Sequence, residues 1–152
     1  KLGMAAGEID RCRRFLDNIS IITEAKIAAA TAGTSAMHDI TEGGLATALE
    51  ELSIAGGWTI RVDTDNIPVY PETQKICGLL DINPLGLIGS GSLLICCRSK
   101  DCKKLVEDIA AAGVEITLIG EVMERGQGIR AYKRKKQVSW PAFEVDEITK
   151  LF

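Results

Sequence analysis

No apolar run in the sequence approaches the ~20 residues that a membrane-spanning helix needs, and no secretory signal opens it, so no membrane partner is expected. An excess of charge of one sign is missing too: 18 Lys and Arg stand against 21 Asp and Glu, for a net charge of −3. The signs are mixed along most of the chain, unlike the marked basic excess of a general nucleic-acid binder. Histidine occurs once, as His38, and no CxxC pair exists among Cys12, Cys77, Cys96, Cys97 and Cys102. Regular metal-ligand spacing is therefore absent, and no metal site is expected. An odd number of cysteines on apolar stripes and in an apolar strand reads as buried thiols in a reducing compartment, which assigns the chain to the cytoplasm. Nor is there a Walker-type loop, a GxGxxG turn, a nucleophile elbow or a pair of catalytic carboxylates. These absences leave no complete catalytic apparatus.

What is present is a core. With 152 residues, 46% of them hydrophobic, the chain has the size of one globular domain, taken as residues 1–152. It opens on Lys1 rather than Met, as a fragment would. A leading segment, residues 1–18, holds a helix over residues 7–16 with Ile9, Cys12 and Leu16 on one side. A second, alanine-rich helix is expected over residues 20–32, closed by Gly33. Trp58–Asp63 alternates strictly and predicts a half-exposed strand. Pro71 suits the first turn of a short helix carrying Ile76, Cys77, Leu79 and Leu80, which Asn83-Pro84 ends. Residues 92–97 are a continuous apolar run, which predicts a central strand covered on both faces, with Cys96 and Cys97 pointing to opposite sides. Ser99 can cap a helix whose Cys102, Leu105, Val106 and Ile109 share a stripe, ending at Gly113. Two closing strands, over residues 115–124 and 129–134, are predicted to form a hairpin through Gly126-Gln127-Gly128. Lys133-Arg134-Lys135-Lys136 reads as a solvated strand end, with a phosphate or nucleic-acid contact as the minority alternative. Residues 139–152 show no strong pattern. Strands separated by helices give an α+β fold, a mixed sheet of about four to five strands covered by helices.

The stretch on which the rest is organised runs from His38 to Glu51. Ala36 and Met37 lead in as strand, a glycine turn follows, and Leu45, Leu49 and Leu52 fall at i, i+4 and i+7 of a core-facing helix. Asp39 or Thr41 can cap the helix, with Glu42 as the reciprocal partner of a capping box. Gly43 and Gly44 sit where a helix former is expected, at a cost of roughly 1 kcal/mol each. They imply a close approach, by neighbouring backbone or by a ligand at the positive helix end. His38 is the sole ready acid–base candidate near neutral pH, set against a hydrogen-bonded structural role. On a strand it faces away from Asp39, so the two cannot form a dyad. Asp39 is a cap or a metal ligand; Glu42 completes the cap or stands at the mouth of a cleft. Ser90-Gly91-Ser92 can hold an anionic group or make a tight connection.

His38-Asp39-Ile40-Thr41-Glu42-Gly43-Gly44-Leu45 resembles the His/Arg-Asp-Pro/Ile-Thr-x-Gly-Gly-Leu signature of the aminoimidazole ribonucleotide synthase superfamily, in its C-terminal domain. Ile67-Pro68-Val69, the run from Cys77 to Leu85, Ser90-Gly91-Ser92-Leu93-Leu94 and Ile119-Gly120-Glu121-Val122 follow in the family's order, over residues 19–132. The similarity is closest to the hydrogenase-maturation type. It implies a mixed sheet covered by helices, partly similar to a ferredoxin-like fold. It also implies that ATP and Mg2+ are held mainly by an N-terminal domain, absent here, which pairs with its copy in a homodimer. None would be bound tightly by this chain. The cleft-facing positions implied are His38, Asp39, Thr41, Glu42, Gly43, Gly44 and Ser90, beside Gly91 and Ser92.

Two departures stand out. Gly89-Ser90-Gly91 replaces an Asn-Glu-Gly segment of the hydrogenase-maturation dehydratase, and the chain ends at Phe152 without that enzyme's Pro-Arg-Ile-Cys tail. The expectation is therefore a substrate-side domain of a related ATP-using enzyme, inactive alone, acting on a carbonyl or amide oxygen of a small molecule. The alternative is a degenerate regulatory or docking module of the same fold.

Overall fold

A computed structural model describes residues 3–152; Lys1 and Leu2, the start of the expected leading segment, lie outside the described residues. Five helices, α1 (Ala6–Arg14), α2 (Ile22–Ala30), α3 (Gly44–Gly56), α4 (Pro71–Leu80) and α5 (Ser99–Ala111), alternate with six strands. The strands are β1 (Thr34–Asp39), β2 (Trp58–Asp63), β3 (Leu93–Cys97), β4 (Gly120–Arg125), β5 (Ile129–Lys133) and β6 (Lys136–Val138). They form two sheets: an antiparallel pair β1-β3, and a mixed four-stranded sheet in the order β4-β2-β5-β6. No described helix is long and apolar enough to cross a membrane.

The main core lies where the periodicities converge. Leu45 and Leu49 from α3 meet Ile60 and Val62 from β2, with Leu52, Leu94 and Trp140 packed around them. Burying each such aliphatic side chain contributes about 1.5–3 kcal/mol. A second cluster joins Ala28 of α2 to Leu105 and Ile109 of α5 over Ile95 and Cys97. The β1-β3 pair is thus sandwiched, with Leu94 on one side and Ile95 and Cys97 on the other, as alternation requires.

Several boundaries differ from expectation. The first two helices are shorter, Phe15–Asn18 continues α1 as a 3-10 turn, and the strand expected over 115–124 runs instead over Gly120–Arg125. Residues 92–97 do not supply a central strand: β3 pairs with β1 alone, and all five of its residues are half-buried. An apolar run marks burial between helices here, not membership of a wide sheet. Ser99 is not the cap of α5; Arg98 occupies that position and no side chain caps it.

The two closing strands are not a hairpin either. β2 inserts between them, antiparallel to β4 and parallel to β5. The Gly126–Gly128 link passes over the start of β2 and is pinned there by Ser53, which is fully buried. Ser53 Oγ donates to the Trp58 carbonyl at 2.7 Å and accepts the Gly128 N–H at 2.7 Å. The hairpin instead joins β5 to β6, through Arg134 and Lys135.

Residues 139–152, without pattern in the sequence, are firmly placed. The Trp140 indole N–H donates to the Ala46 carbonyl at 3.3 Å. Phe143 and Glu147 both close on Gly86, where a Cβ would come within 2.7 Å of each. The tail ends in a 3-10 turn, Glu147–Leu151, capped by Asp146, whose Oδ1 accepts the Ile148 N–H at 2.9 Å.

Candidate functional site

Two loops meet at one end of the β1-β3 pair. Ile40 binds both of its neighbours: its N–H donates to the Ser92 carbonyl at 3.2 Å, and its carbonyl accepts the Gly89 N–H at 3.1 Å. Gly89 must be small, since a Cβ there would lie 2.9 Å from the Ile40 side chain. Residues 89–92 form a turn closed by Ser92 N–H on the Gly89 carbonyl at 2.9 Å, with Gly91 at φ +93°. Gly91 also lies against residues 18–19, where a Cβ would approach the Asn18 carbonyl oxygen to 2.6 Å. Asp39, Thr41, Glu42, Ser90 and Ser92 are all exposed, so both predicted segments do present polar groups along a common rim.

The helix head itself is arranged differently. Gly43 caps α3 in the left-handed conformation at φ +77°, and Gly44 follows at +65°. The Gly44 N–H donates to the Thr41 carbonyl at 3.0 Å, closing the turn. Two successive positive φ values are what the glycine pair supplies. Asp39 and Thr41 do not cap the helix, Glu42 completes no capping box, and no local side chain takes that role. The acceptor comes from the other end of the chain: Asp146 Oδ2 takes the Gly43 N–H at 3.1 Å, in a buried contact. A Cβ on Gly44 would sit 2.5 Å from the Leu85 carbonyl oxygen and 2.6 Å from that of Leu87. Of the two approaches implied by these glycines, that of neighbouring backbone is the one present.

His38 points toward α3. Its Nε2 lies 2.9 Å from Glu51 Oε2, and its Nδ1–H donates to the Asp39 carbonyl. The Asp39 carboxylate stays 4.0 Å away, too far for a hydrogen bond, so no His–Asp dyad forms.

Asp146 and Glu147, both buried, are the side chains that sequence reasoning missed. Glu147 Oε2 accepts the Asn83 N–H at 2.8 Å, and Oε1 meets Lys150 Nζ at 2.6 Å. The Lys150 ammonium, then the Asn83 amide, hold its carboxyl below the usual carboxylate range. An acidic pair after a tryptophan and a phenylalanine was the available signal, but nothing local says which amides it will meet. Cys77 lies next to this network, and burial, then the Glu147 charge, push its thiol up.

The Gly43 amide at the helix head is taken by Asp146, and among the described residues no group of three His, Cys, Asp or Glu side chains is placed to hold a metal ion.

The profile of the AIR synthase related protein, C-terminal domain, matches residues 16–133. The chain belongs to that family. Among curated relatives of this AIR synthase related domain is the carbamoyl dehydratase HypE of Cupriavidus necator. It is 35% identical over 105 residues, which are 68% of this chain and 30% of the relative. The crystal structure of Escherichia coli HypE, a hydrogenase maturation protein, superposes with a TM-score of 0.68 at 26% identity, covering 80% of this chain and 40% of that one. A hydrogenase maturation protein HypE solved in complex with ATP gives a TM-score of 0.71 at 20% identity, over 78% of this chain and 38% of that one. At that identity the likeness is one of fold. The match takes in 30% of the first relative's length, so it concerns one part of a larger protein in that relative.

Proposed function

We propose that this chain is the substrate-side C-terminal domain of an ATP-dependent enzyme, of the HypE-like type, that activates a carbonyl or amide oxygen of a small substrate by phosphorylation. The observation that supports it most is the rim. Ile40 ties residues 39–42 to residues 89–92, and Asp39, Thr41, Glu42, Ser90 and Ser92 stand exposed along it. Hydroxyl and carboxylate groups of that kind bind and orient a small polar substrate; they do not supply a complete reaction centre. Gly43, Gly44 and Gly91 serve by shaping the backbone beneath. His38, beside Glu51, is the remaining candidate for proton transfer, at the flank of the rim.

ATP and Mg2+ are assigned to an N-terminal domain of the parent, and no phosphoryl step is assigned to residues of this chain. That domain is the partner that would close the rim into a chamber, in a cytoplasmic homodimer. The test uses a protein carrying both domains. Thr41→Val and Ser90→Ala are expected to raise KM for the small substrate about tenfold, the worth of one hydrogen bond of roughly 1.4 kcal/mol, while KM for ATP is unchanged. Variants that leave both constants untouched would remove the rim from the reaction.

A degenerate regulatory or docking module is the second reading, favoured by Ser90 standing where the dehydratase resemblance calls for a carboxylate. Nucleotide titration of the parent separates the two, because a degenerate parent does not bind ATP.

A further inference from the structure

The β5-β6 hairpin breaks local rules in two independent ways. Its two-residue turn holds Arg134 at φ +48° and Lys135 at +64°. Turns of that twist favour Asn-Gly or Asp-Gly, because bulky residues are strained there. Directly beneath, Lys133 is paired across the strands with Lys136. Like charges placed opposite one another repel. All four side chains are exposed, and among the described residues none of them enters an ion pair. Local conflicts of this kind are expected at functional or strained positions.

The tip is also held in place. The Arg134 N–H donates to Asp65 Oδ2 at 2.6 Å, and Thr64 Oγ1 donates to the Tyr132 carbonyl at 3.0 Å. These bonds anchor the hairpin to the turn Thr64–Asn66. A basic cluster fixed in advance binds an anion at lower ordering cost than a flexible one.

We propose that Lys133, Arg134, Lys135 and Lys136 form a docking tip for an acidic, extended segment of a partner protein. Two observations favour a peptide over a nucleic acid. β6 is the edge strand of its sheet, so its outer backbone is open to pairing with an extended chain. Tyr132, the nearest aromatic, is engaged by the Arg61 guanidinium 4.9 Å from its ring centre and offers no free stacking face on that side.

The test is fluorescence anisotropy of a labelled oligoglutamate peptide titrated with this chain, beside a single-stranded oligothymidylate of equal charge. The peptide is expected to bind more tightly, with an affinity that falls as salt rises. Replacing the turn by its favoured pair, Arg134→Asn/Lys135→Gly, should weaken peptide binding by about tenfold while raising the melting temperature, so lost binding cannot be ascribed to unfolding. Absence of peptide binding, or equal binding by the double variant, overturns the proposal. Tighter binding of the oligonucleotide overturns it as well, in favour of a nucleic-acid contact.

Discussion

At Gly44 a methyl group meets two carbonyl oxygens of the segment around Gly86, whereas at Gly43 it meets the movable Thr47 side chain. Both sites also carry the left-handed penalty of about 1–2 kcal/mol for a residue with a Cβ. Gly44→Ala is therefore expected to destabilise the chain clearly more than Gly43→Ala, by thermal or urea melting. Equal losses would mean that backbone conformation alone explains the pair. Asp146→Ala removes the acceptor of the Gly43 N–H, and a buried amide left unpaired costs roughly 1–3 kcal/mol. The thiols supply a separate check. Burial pushes Cys77, Cys96 and Cys97 up, so these three should react slowly with a disulfide reagent near neutral pH in the folded chain. The signature turn shows how far residues could be read from sequence. The need for two glycines and a close approach by backbone were visible; which backbone was not, since the carbonyls of Leu85 and Leu87 and the carboxylate of Asp146 arrive from far along the chain.

Among the elements, α3 and β2 carry the main core, and truncating Leu49 to Ala should cost about 2–5 kcal/mol. Both elements were legible from their periodicities, 3.6 and 2, although burial departs from alternation in β2 at Thr59, which is buried beside Ile60. Pairing was not. A strand order of β4-β2-β5 depends on Ser53 and the Gly126–Gly128 link crossing β2, which no local pattern records. The tail is the other element that local pattern missed, and it carries a pH prediction. A carboxyl lowered by folding, as at Glu147, stabilises the folded chain at neutral pH, and that contribution is lost as pH falls through the lowered value. The tail should loosen on acidification below the usual carboxylate range and not on the alkaline side. Trp140 fluorescence reports it, and Glu147→Gln should remove the acid-dependent component.

For the whole molecule, the physical picture is a domain that holds its own helix head shut with its tail and leaves a polar rim open beside it. The proposed role rests on that rim, with substrate gripped here and nucleotide held by another domain of the parent. Asp39, Thr41 and Glu42 are exposed on the strand-to-helix turn, and Ser90 and Ser92 on the turn that leads into β3, as loops at sheet ends expose polar groups. The direct test of the central claim is magnesium-dependent ATP hydrolysis by the purified 152-residue chain. The account predicts none above the background of buffer; turnover by this chain alone, abolished by Glu42→Gln, would contradict it.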